Sequence, residues 1–393
     1  SETFKSSRTK LISDFQQRLP FKDLPYSKKS WGHSLHSLCS YQGKLKPALA
    51  HWLVKYFVPE KGSILDPLGG VGTIPFEGAL AGCRVVSNDK SPFASIIARG
   101  KVRPPNRAKV IRVLDDLIAR SKKVKLLKAD TESASFGLNS SVADYYHPNT
   151  LNEILRLRKL FLQTEFKDKS DEEVFIWACL LHVLHGNRPY ALSRTSHPIT
   201  PFSPKGEFIY KDVKQKIEEK IDRAFSEALT EEFSKGKVLN SDFRKLSSKR
   251  LGKFDSIICS PPFYGMRFDR PNCLRLWFCG WTEIDFKTTS TGFLERQQMK
   301  DIEVYKEFFM ECYKLLKPSG ILILHLASGG RKDMSLQLKS MCPDQFKCIG
   351  VVNENVEAIA NHGINDKGLT KSQSLLFFEP VHSSSSSPTE SGR

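Results

Sequence analysis

The feature that most constrains the fold is a short apolar stretch followed at once by an acidic residue and a glycine-rich turn. Residues 63–73 read Ser-Ile-Leu-Asp-Pro-Leu-Gly-Gly-Val-Gly-Thr. The apolar stretch is typical of a buried strand, and the glycines allow a sharp turn and the close approach of a ligand to the backbone. Residues 74–81 follow with a helical pattern, and residues 83–87 predict a second strand. This order of strand, helix and strand predicts an α/β domain with a nucleotide-type cofactor loop.

Two acidic residues beside this loop indicate what kind of cofactor it binds. Asp89 follows the second predicted strand, 20 positions beyond Gly69, where nucleotide-binding folds place the acid that holds a ribose. The loop lacks the GxGxxG spacing of dinucleotide folds, and the carboxylate of Asp66 would repel a pyrophosphate. It would instead pair with an ammonium group such as that of S-adenosyl-L-methionine. The expected cofactor-binding residues of this part of the chain are Asp66, Pro67, Gly69, Gly72, Thr73 and Asp89.

A second motif lies at the end of another predicted strand. Residues 257–265 read Ile-Ile-Cys-Ser-Pro-Pro-Phe-Tyr-Gly. Two prolines stop a sheet and restrict the loop, and they offer carbonyl acceptors without N–H donors. The hydroxyl of Ser260 and the carbonyl of Pro261 can accept the hydrogens of an amino group, while Phe263 offers an aromatic face. The loop suits a planar base with an exocyclic amino group; a structural stop with an aromatic core plug is the alternative.

Together, DPLGGVGT and SPPF resemble the motifs of the amino-methyltransferases of nucleic acids, most closely the DNA N4-cytosine methyltransferases. The resemblance covers residues 34–100 and 237–380. It implies the class I methyltransferase fold, an α/β architecture with a Rossmann-like, mostly parallel seven-stranded sheet and a C-terminal antiparallel hairpin. It also implies methylation of cytosine N4 in DNA after base flipping. An RNA base amino-methyltransferase and a non-catalytic nucleic-acid-binding scaffold are the alternatives.

The resemblance also assigns roles to individual residues. Those that match the catalytic loop are Ser260, Pro261, Pro262 and Phe263. Those that match segments around the methionine and adenine ends of the cofactor are Tyr41, Lys44, Asp242 and Phe243. The chain departs from the family pattern at Leu68, where Phe is usual, and at Phe263, where Tyr is commoner. A long insertion before Asp242 is a further departure, and it leaves the target sequence open.

Composition, the strand and helix patterns and the resemblance together imply five regions. We expect a basic N-terminal arm over residues 1–33, a cofactor-binding half over 34–104, a helical insertion over 105–235, a catalytic half over 236–380 and a disordered tail over 381–393. The insertion is the candidate target-recognition region. The substrate-binding candidates are Arg188, Tyr190 and Arg194 within it, and Tyr264 and Arg267 after the catalytic loop. Trp277 and Trp281 suit either the flank of an extruded base or core packing.

The charge of the chain favours a polyanionic partner. Lys and Arg number 60 against 43 Asp and Glu, which gives a formal net charge of +17. Nucleic acid is the simplest such partner, with DNA preferred and RNA as the alternative. The excess is concentrated in residues 107–128, a face that either contacts phosphates or is merely solvated.

Cysteine usage and hydropathy bear on the compartment. The nine cysteines form no CxxC pair and no Cys/His ligand spacing, so no zinc site is expected. Free thiols favour a reducing intracellular location, nuclear in a eukaryote. No apolar run reaches the roughly 18 residues of a membrane span, so no membrane partner is expected.

Overall fold

A computed structural model of the protein describes residues 2–41, 43–186, 207, 209–330, 332–355 and 372–382. Strands in these residues form one seven-stranded sheet in the order β3-β2-β1-β4-β5-β7-β6. Their bounds are Ser63–Asp66 (β1), Arg84–Asn88 (β2), Lys237–Leu239 (β3), Phe254–Cys259 (β4), Leu316–Ser328 (β5), Phe346–Asn355 (β6) and Ser372–Pro380 (β7).

The sheet is parallel except at one edge. Five strands run parallel to one another, in the order β3, β2, β1, β4 and β5. Strand β7 inserts between β5 and β6 and is antiparallel to both. The expected class I methyltransferase fold with its C-terminal hairpin is confirmed. Because β1 and β4 are adjacent and parallel, the loops that follow Asp66 and Cys259 open at the same edge of the sheet.

Helices flank the sheet on both faces. The helices in the first part of the chain are Glu2–Arg18 (α1), Pro47–Phe57 (α2), Thr73–Leu80 (α3), Pro92–Val102 (α4), Arg107–Lys122 (α5), Lys128–Glu132 (α6), Pro148–Phe161 (α7), Asp171–Gly186 (α8) and Val213–Ala224 (α9). Those that follow are Ser248–Leu251 (α10), Cys273–Phe278 (α11), Glu283–Lys287 (α12), Leu294–Lys300 (α13), Val304–Leu315 (α14) and Met334–Ser340 (α15). None of the helices within the described residues has the length and apolar character needed to cross a bilayer.

Alternation along β1 divides the core between the two faces of the sheet. Ile64 and Leu65 are both fully buried, but successive strand side chains point to opposite faces. Ile64 joins a large apolar cluster with α2, α3 and α4. Leu65 joins a second cluster with α14 and α15. Burial on both faces fixes the register of β1, and with it the position of Asp66 at its end.

The helical region between β2 and β3 is built around α8. This helix is buried on all sides from Val174 to Leu181, and it packs against α4, α5, α9 and α11. It therefore joins the helical region to the layer that covers the sheet. The last helix of this region, α9, ends at Ala224.

Three aromatic residues define how outlying parts of the chain pack. Phe15 of α1 is fully buried and contacts Phe57 with ring centroids 5.7 Å apart, so the residues expected to form an arm begin with a packed helix. Trp277 is 1% exposed, and its indole N–H donates to the carbonyl of Ser133. Trp281 is also buried and stacks on Phe293. Of the two interpretations of these tryptophans, the structure supports core packing.

Candidate active site

The two sequence motifs meet in one open cleft at the carboxyl ends of β1, β2 and β4. Its empty volume is about 920 Å³, counting the space continuous with solvent. Asp66 and Ser260, 194 positions apart in the sequence, both line it, and so does Asp89, which directly follows β2.

Asp66 is buried at the floor of this cleft. Its side chain accepts a hydrogen bond from the N–H of Leu68 at 3.1 Å. Burial, reinforced by the nearby charge of Asp89, raises the pKa of Asp66 to about 8. A cation placed beside it would favour the charged form and reverse part of that shift.

Two more carboxyl groups face the same space, that of the half-buried Asp89 and that of the buried Glu295. Asp89 accepts hydrogen bonds from the N–H groups of Gly70 at 2.9 Å and Ser91 at 2.8 Å, and burial raises its pKa. Glu295, in the first turn of α13, is 7% exposed, and burial raises its pKa to about 8. In the part of the chain that the structure describes, Asp66, Asp89 and Glu295 form no ion pair. Lys44 and Lys90 also line the cleft, but neither forms an ion pair with these three acids. Three carboxyl groups without an ion pair, in a protein of net charge +17, favour a cationic ligand.

Gly69 and Gly72 were expected to let a ligand approach the first loop, but each lies against a neighbouring part of the protein. A Cβ at Gly69 would lie 2.0 Å from Ser87 Oγ, so this glycine lets the loop lie against β2. Gly72 has φ of +80°, and a Cβ there would approach Ala98 of α4 at 3.0 Å; it lies behind the loop and does not line the cleft. Gly70, with φ of +54°, lines the cleft and holds Asp89. Loop packing and ligand approach look alike in a glycine-rich sequence.

A smaller pocket of about 260 Å³ adjoins the cleft. It contains Pro67, Asp242 and Phe243, and the two spaces share Leu68 and Lys90 as walls. Asp242 and Phe243 are the residues expected at the adenine end of the cofactor, and both line this pocket. Asp242 Oδ1 accepts a hydrogen bond from the N–H of Arg244 at 3.0 Å, which fixes the carboxylate at this rim.

The segment before the first loop supplies an aromatic wall. Tyr41 lines the cleft and stacks on Phe268, with ring centroids 5.5 Å apart and planes at 7°. Lys44 and Thr73 also line the cleft. The ammonium of Lys44, however, donates to the carbonyl of His36 at 2.5 Å, so its charge is already engaged. Phe268 directly follows Arg267, one of the substrate-binding candidates.

The loop after β4 is held from both sides. Ser260 Oγ lies 2.9 Å from Nδ1 of His325 on β5. The amide of Gln298 donates to the carbonyls of Pro262 at 3.0 Å and Phe263 at 3.3 Å. Gln298 in turn accepts a hydrogen bond from the Tyr305 hydroxyl at 2.6 Å. These contacts engage the carbonyls of the third and fourth residues of the motif and not that of the second, Pro261.

Two of the five substrate-binding candidates, Tyr264 and Arg267, lie within the described residues. Arg267 forms two hydrogen bonds of 2.9 Å with Asp269, a buried residue that lines the cleft. Tyr264 is covered by Lys332, whose Nζ lies 3.9 Å from the ring centroid. Arg188, Tyr190 and Arg194 lie outside the described residues.

Comparison with known proteins bears on part of this site. Residues 37–135 match the model of the UPF0020 family, described as an RMKL-like methyltransferase domain. This segment contains Tyr41, Asp66 and Asp89. The Type II methyltransferase M.MjaII of Methanocaldococcus jannaschii is 27% identical over 125 residues, which are 30% of this chain and 24% of that protein. The chain therefore spans about a quarter of this curated relative. Together these matches support a methyltransferase.

Solved structures resemble the chain remotely. TrmN from Thermus thermophilus is 13% identical, with 86% of this chain and 50% of that chain covered and a TM-score of 0.34. The rRNA methyltransferase aviRa from Streptomyces viridochromogenes is 12% identical, with 91% and 93% covered and a TM-score of 0.35. Similarities as remote as these give no information about the substrate of this chain.

Proposed function

We propose that this protein transfers a methyl group from S-adenosylmethionine to the exocyclic amino group of a nucleic-acid base, with cytosine N4 in DNA as the target. The observation that carries the proposal is the meeting of Asp66 and Ser260 in one cleft. One of these residues suits the ammonium group of a cofactor, and the other suits the amino group of a substrate. Neither motif alone would distinguish a methyltransferase from another nucleotide-binding fold.

The carboxyl groups of the cleft suit the polar parts of the cofactor. Asp66 pairs with the ammonium group, Asp89 holds the ribose, and Asp242 and Phe243 receive the adenine. The bound cofactor supplies an electrophilic methyl group. Glu295, which sequence reasoning missed, adds a further carboxyl group to the lining of the cleft. Asp66, Asp89 and Glu295 form no ion pair with a described residue, which supports this fit. Asp242 differs, because it already pairs with Arg244 at 3.2 Å and with Lys90 at 3.8 Å.

The proline loop suits the base. Phe263 stacks on the extruded ring, while Ser260 Oγ and the carbonyl of Pro261 accept the two amino hydrogens. Accepting these hydrogens draws the nitrogen lone pair out of conjugation and towards the methyl group, so catalysis is mainly positioning and electrostatics. Gln298 supports the assignment because it engages the neighbouring carbonyls and holds the loop still.

The test is nucleoside mass spectrometry of DNA and RNA incubated with the protein and methyl-labelled S-adenosylmethionine. We expect label in N4-methylcytosine from DNA. Label in an RNA amino-methylated base or in N6-methyladenine would change the substrate and keep the site chemistry. Label in 5-methylcytosine would refute transfer to an amino group. Intact cofactor binding without any labelled nucleoside would favour a scaffold.

A further inference from the structure

The hydrogen bonding of Ser260 continues inward through two residues of the sheet. His325 lies on β5 and Gln373 on the adjacent antiparallel strand β7. His325 Nδ1 is 2.9 Å from Ser260 Oγ, and its Nε2 is 2.8 Å from Gln373 Oε1. The imidazole is 5% exposed. A continuous chain of three side chains therefore leads from the cleft into the sheet.

The acceptor at the inner end decides where the hydrogens lie. Gln373 Oε1 can only accept, so Nε2 of His325 carries the ring proton. Burial lowers the pKa of His325 to about 4, although the hydrogen bond to Gln373 opposes this, so the ring is neutral at pH 7. Nδ1 is then an acceptor, and Ser260 donates its hydroxyl hydrogen to it. The lone pairs of Ser260 Oγ are left for hydrogens that come from the cleft.

We propose that His325 and Gln373 are positioning residues for Ser260 and form the route by which the amino group loses its proton. The proposal rests on the function proposed above. As the nitrogen–carbon bond forms and the carbon–sulfur bond of the donor breaks, the base nitrogen becomes cationic. Its proton passes to Ser260 Oγ while the Ser260 proton passes to His325 Nδ1. The result is a neutral methylated amine, a neutral serine and an imidazolium whose Nε2–H stays on Gln373 Oε1.

A weakly basic imidazole is sufficient for this step. A methylated exocyclic amino group that carries a positive charge is a strong acid, because losing a proton restores the conjugation of nitrogen with the ring. The proton therefore moves downhill even to a buried imidazole. When the product leaves, the imidazolium returns its Nδ1 proton through Ser260 to water in the cleft.

Packing is the competing explanation for His325. Its ring lies 5.6 Å from that of Phe263, and a histidine that only filled this space would affect stability alone. The two roles differ in how turnover depends on pH. Gln373→Glu separates them, since it keeps the imidazole and replaces the neutral acceptor with a carboxylate. A carboxylate beside Nε2 raises the pKa of His325, and the protonated ring blocks Nδ1 as an acceptor.

The experiment measures kcat against pH at saturating cofactor and nucleic acid for the wild type, His325→Phe, Gln373→Glu and Ser328→Ala. Ser328→Ala is the matched control, because it removes a hydrogen bond of 3.0 Å to Ser372 between the same two strands. We expect His325→Phe to lose about 10²-fold in kcat with unchanged cofactor affinity. Gln373→Glu should gain an acid limb, with kcat falling as pH drops through the raised pKa of His325. Ser328→Ala should behave as the wild type.

The outcomes separate this proposal from the function on which it rests. If the wild type is active and His325→Phe has the same kcat, the proposed proton route is wrong and the methyltransferase function is unaffected. The same holds if the kcat of Gln373→Glu does not fall at low pH. Should His325→Phe fail to fold, the pH profile of Gln373→Glu decides alone. A wild type that methylates neither DNA nor RNA overturns both.

Discussion

At the scale of single residues, ionisation of the buried carboxyl group of Asp66 has opposite effects on protein stability and on ligand binding. Its pKa is about 8 in the folded protein and about 3.9 in an unfolded chain. Because the folded state binds this proton more tightly, the contribution of Asp66 to stability is full below about pH 4 and is lost as pH rises towards 8. The charged form that destabilises the fold is the form that pairs with an ammonium group.

We therefore predict opposite effects of Asp66→Asn on stability and on binding. The variant should gain in melting temperature relative to the wild type as pH rises from 5 to 8, and it should lose S-adenosylmethionine binding. Wild-type affinity should increase over the same pH range. Thermal melts and calorimetric titrations at several pH values measure both effects. Unchanged affinity in the variant would refute the assignment of Asp66.

Asp255 provides the control for this comparison. It lies near the start of β4, where burial is outweighed by Lys317 and Ser63, so that its pKa is lowered. Its stabilising contribution is therefore present above about pH 4 and lost as pH falls. Asp255→Asn should destabilise the protein at pH 7 and leave the cofactor affinity unchanged.

We predict that Ser260→Ala separates binding from chemistry. The variant should keep nearly full cofactor affinity and lose about 10²-fold or more in turnover, the usual effect of removing one positioned polar group. Ser260→Asp should retain some activity or admit adenine, because a carboxylate also accepts amino hydrogens. Single-turnover kinetics followed by nucleoside mass spectrometry measure both. Wild-type turnover in the Ala variant would contradict the role of this hydroxyl.

Sequence reasoning found the residues that stand in motifs and missed those that stand alone. Asp66 and Ser260 each follow a buried strand and precede a marked turn, so their position at the sheet edge is readable. His325 stands inside an apolar strand, and only the pairing of β5 with β4 and β7 brings it between Ser260 and Gln373. Glu295 lies in the first turn of a seven-residue helix that has no strong hydrophobic pattern. Long-range pairing of this kind leaves no local signal.

At the scale of elements, the first loop is shaped by its contact with β2. We predict that Gly69→Ala destabilises the protein by about 1–3 kcal/mol and weakens cofactor binding, because its Cβ would meet Ser87 Oγ. Gly70→Ala is the matched comparison. Its Cβ would meet only Tyr41, at 3.9 Å, so it should lose just the roughly 1 kcal/mol of a left-handed backbone.

Ser87→Ala tests the cause of the clash. In the background of Gly69→Ala it should recover part of the lost stability, measured by denaturant unfolding as a double-mutant cycle. Additive losses would show that Gly69 serves another purpose. The cofactor affinity of each variant, measured by calorimetry, relates the position of the loop to the site.

Elements with a strong period or a strong boundary signal were predicted well. The strand, loop and helix around residues 63–81 and the two C-terminal strands agree with the structure. Short helices such as α11, α12 and α13 were not predicted, because five to seven residues give too few turns for a period to show. Tertiary packing, not helical propensity, holds such segments.

At the scale of the whole molecule, the net positive charge contrasts with an acidic cleft. Lys122, Lys123 and Lys125 are exposed and form no ion pair with a described residue. We predict that replacing all three with Gln flattens the log–log dependence of DNA affinity on salt, since each phosphate contact contributes about 0.9 to the slope. An unchanged slope would show that these lysines are solvated and do not contact phosphates.

Three paired lysines give a control with the same change in net charge. Lys287, Lys306 and Lys314 are each paired with a glutamate on their own helix or next to it: Glu283, Glu303 and Glu311. Replacing these three with Gln should leave the salt slope close to that of the wild type. Fluorescence anisotropy over a range of salt concentrations measures both triple variants.

The order of strands has a consequence for synthesis. A ribosome releases β6 before β7, yet in the finished sheet β6 touches β5 only through β7. Until β7 has emerged, β6 has no strand partner, and its edge is exposed to other nascent chains. The same late strand carries Gln373, the inner member of the hydrogen-bonded chain that starts at Ser260. Completion of the sheet and completion of this hydrogen-bonded chain therefore depend on the release of one strand.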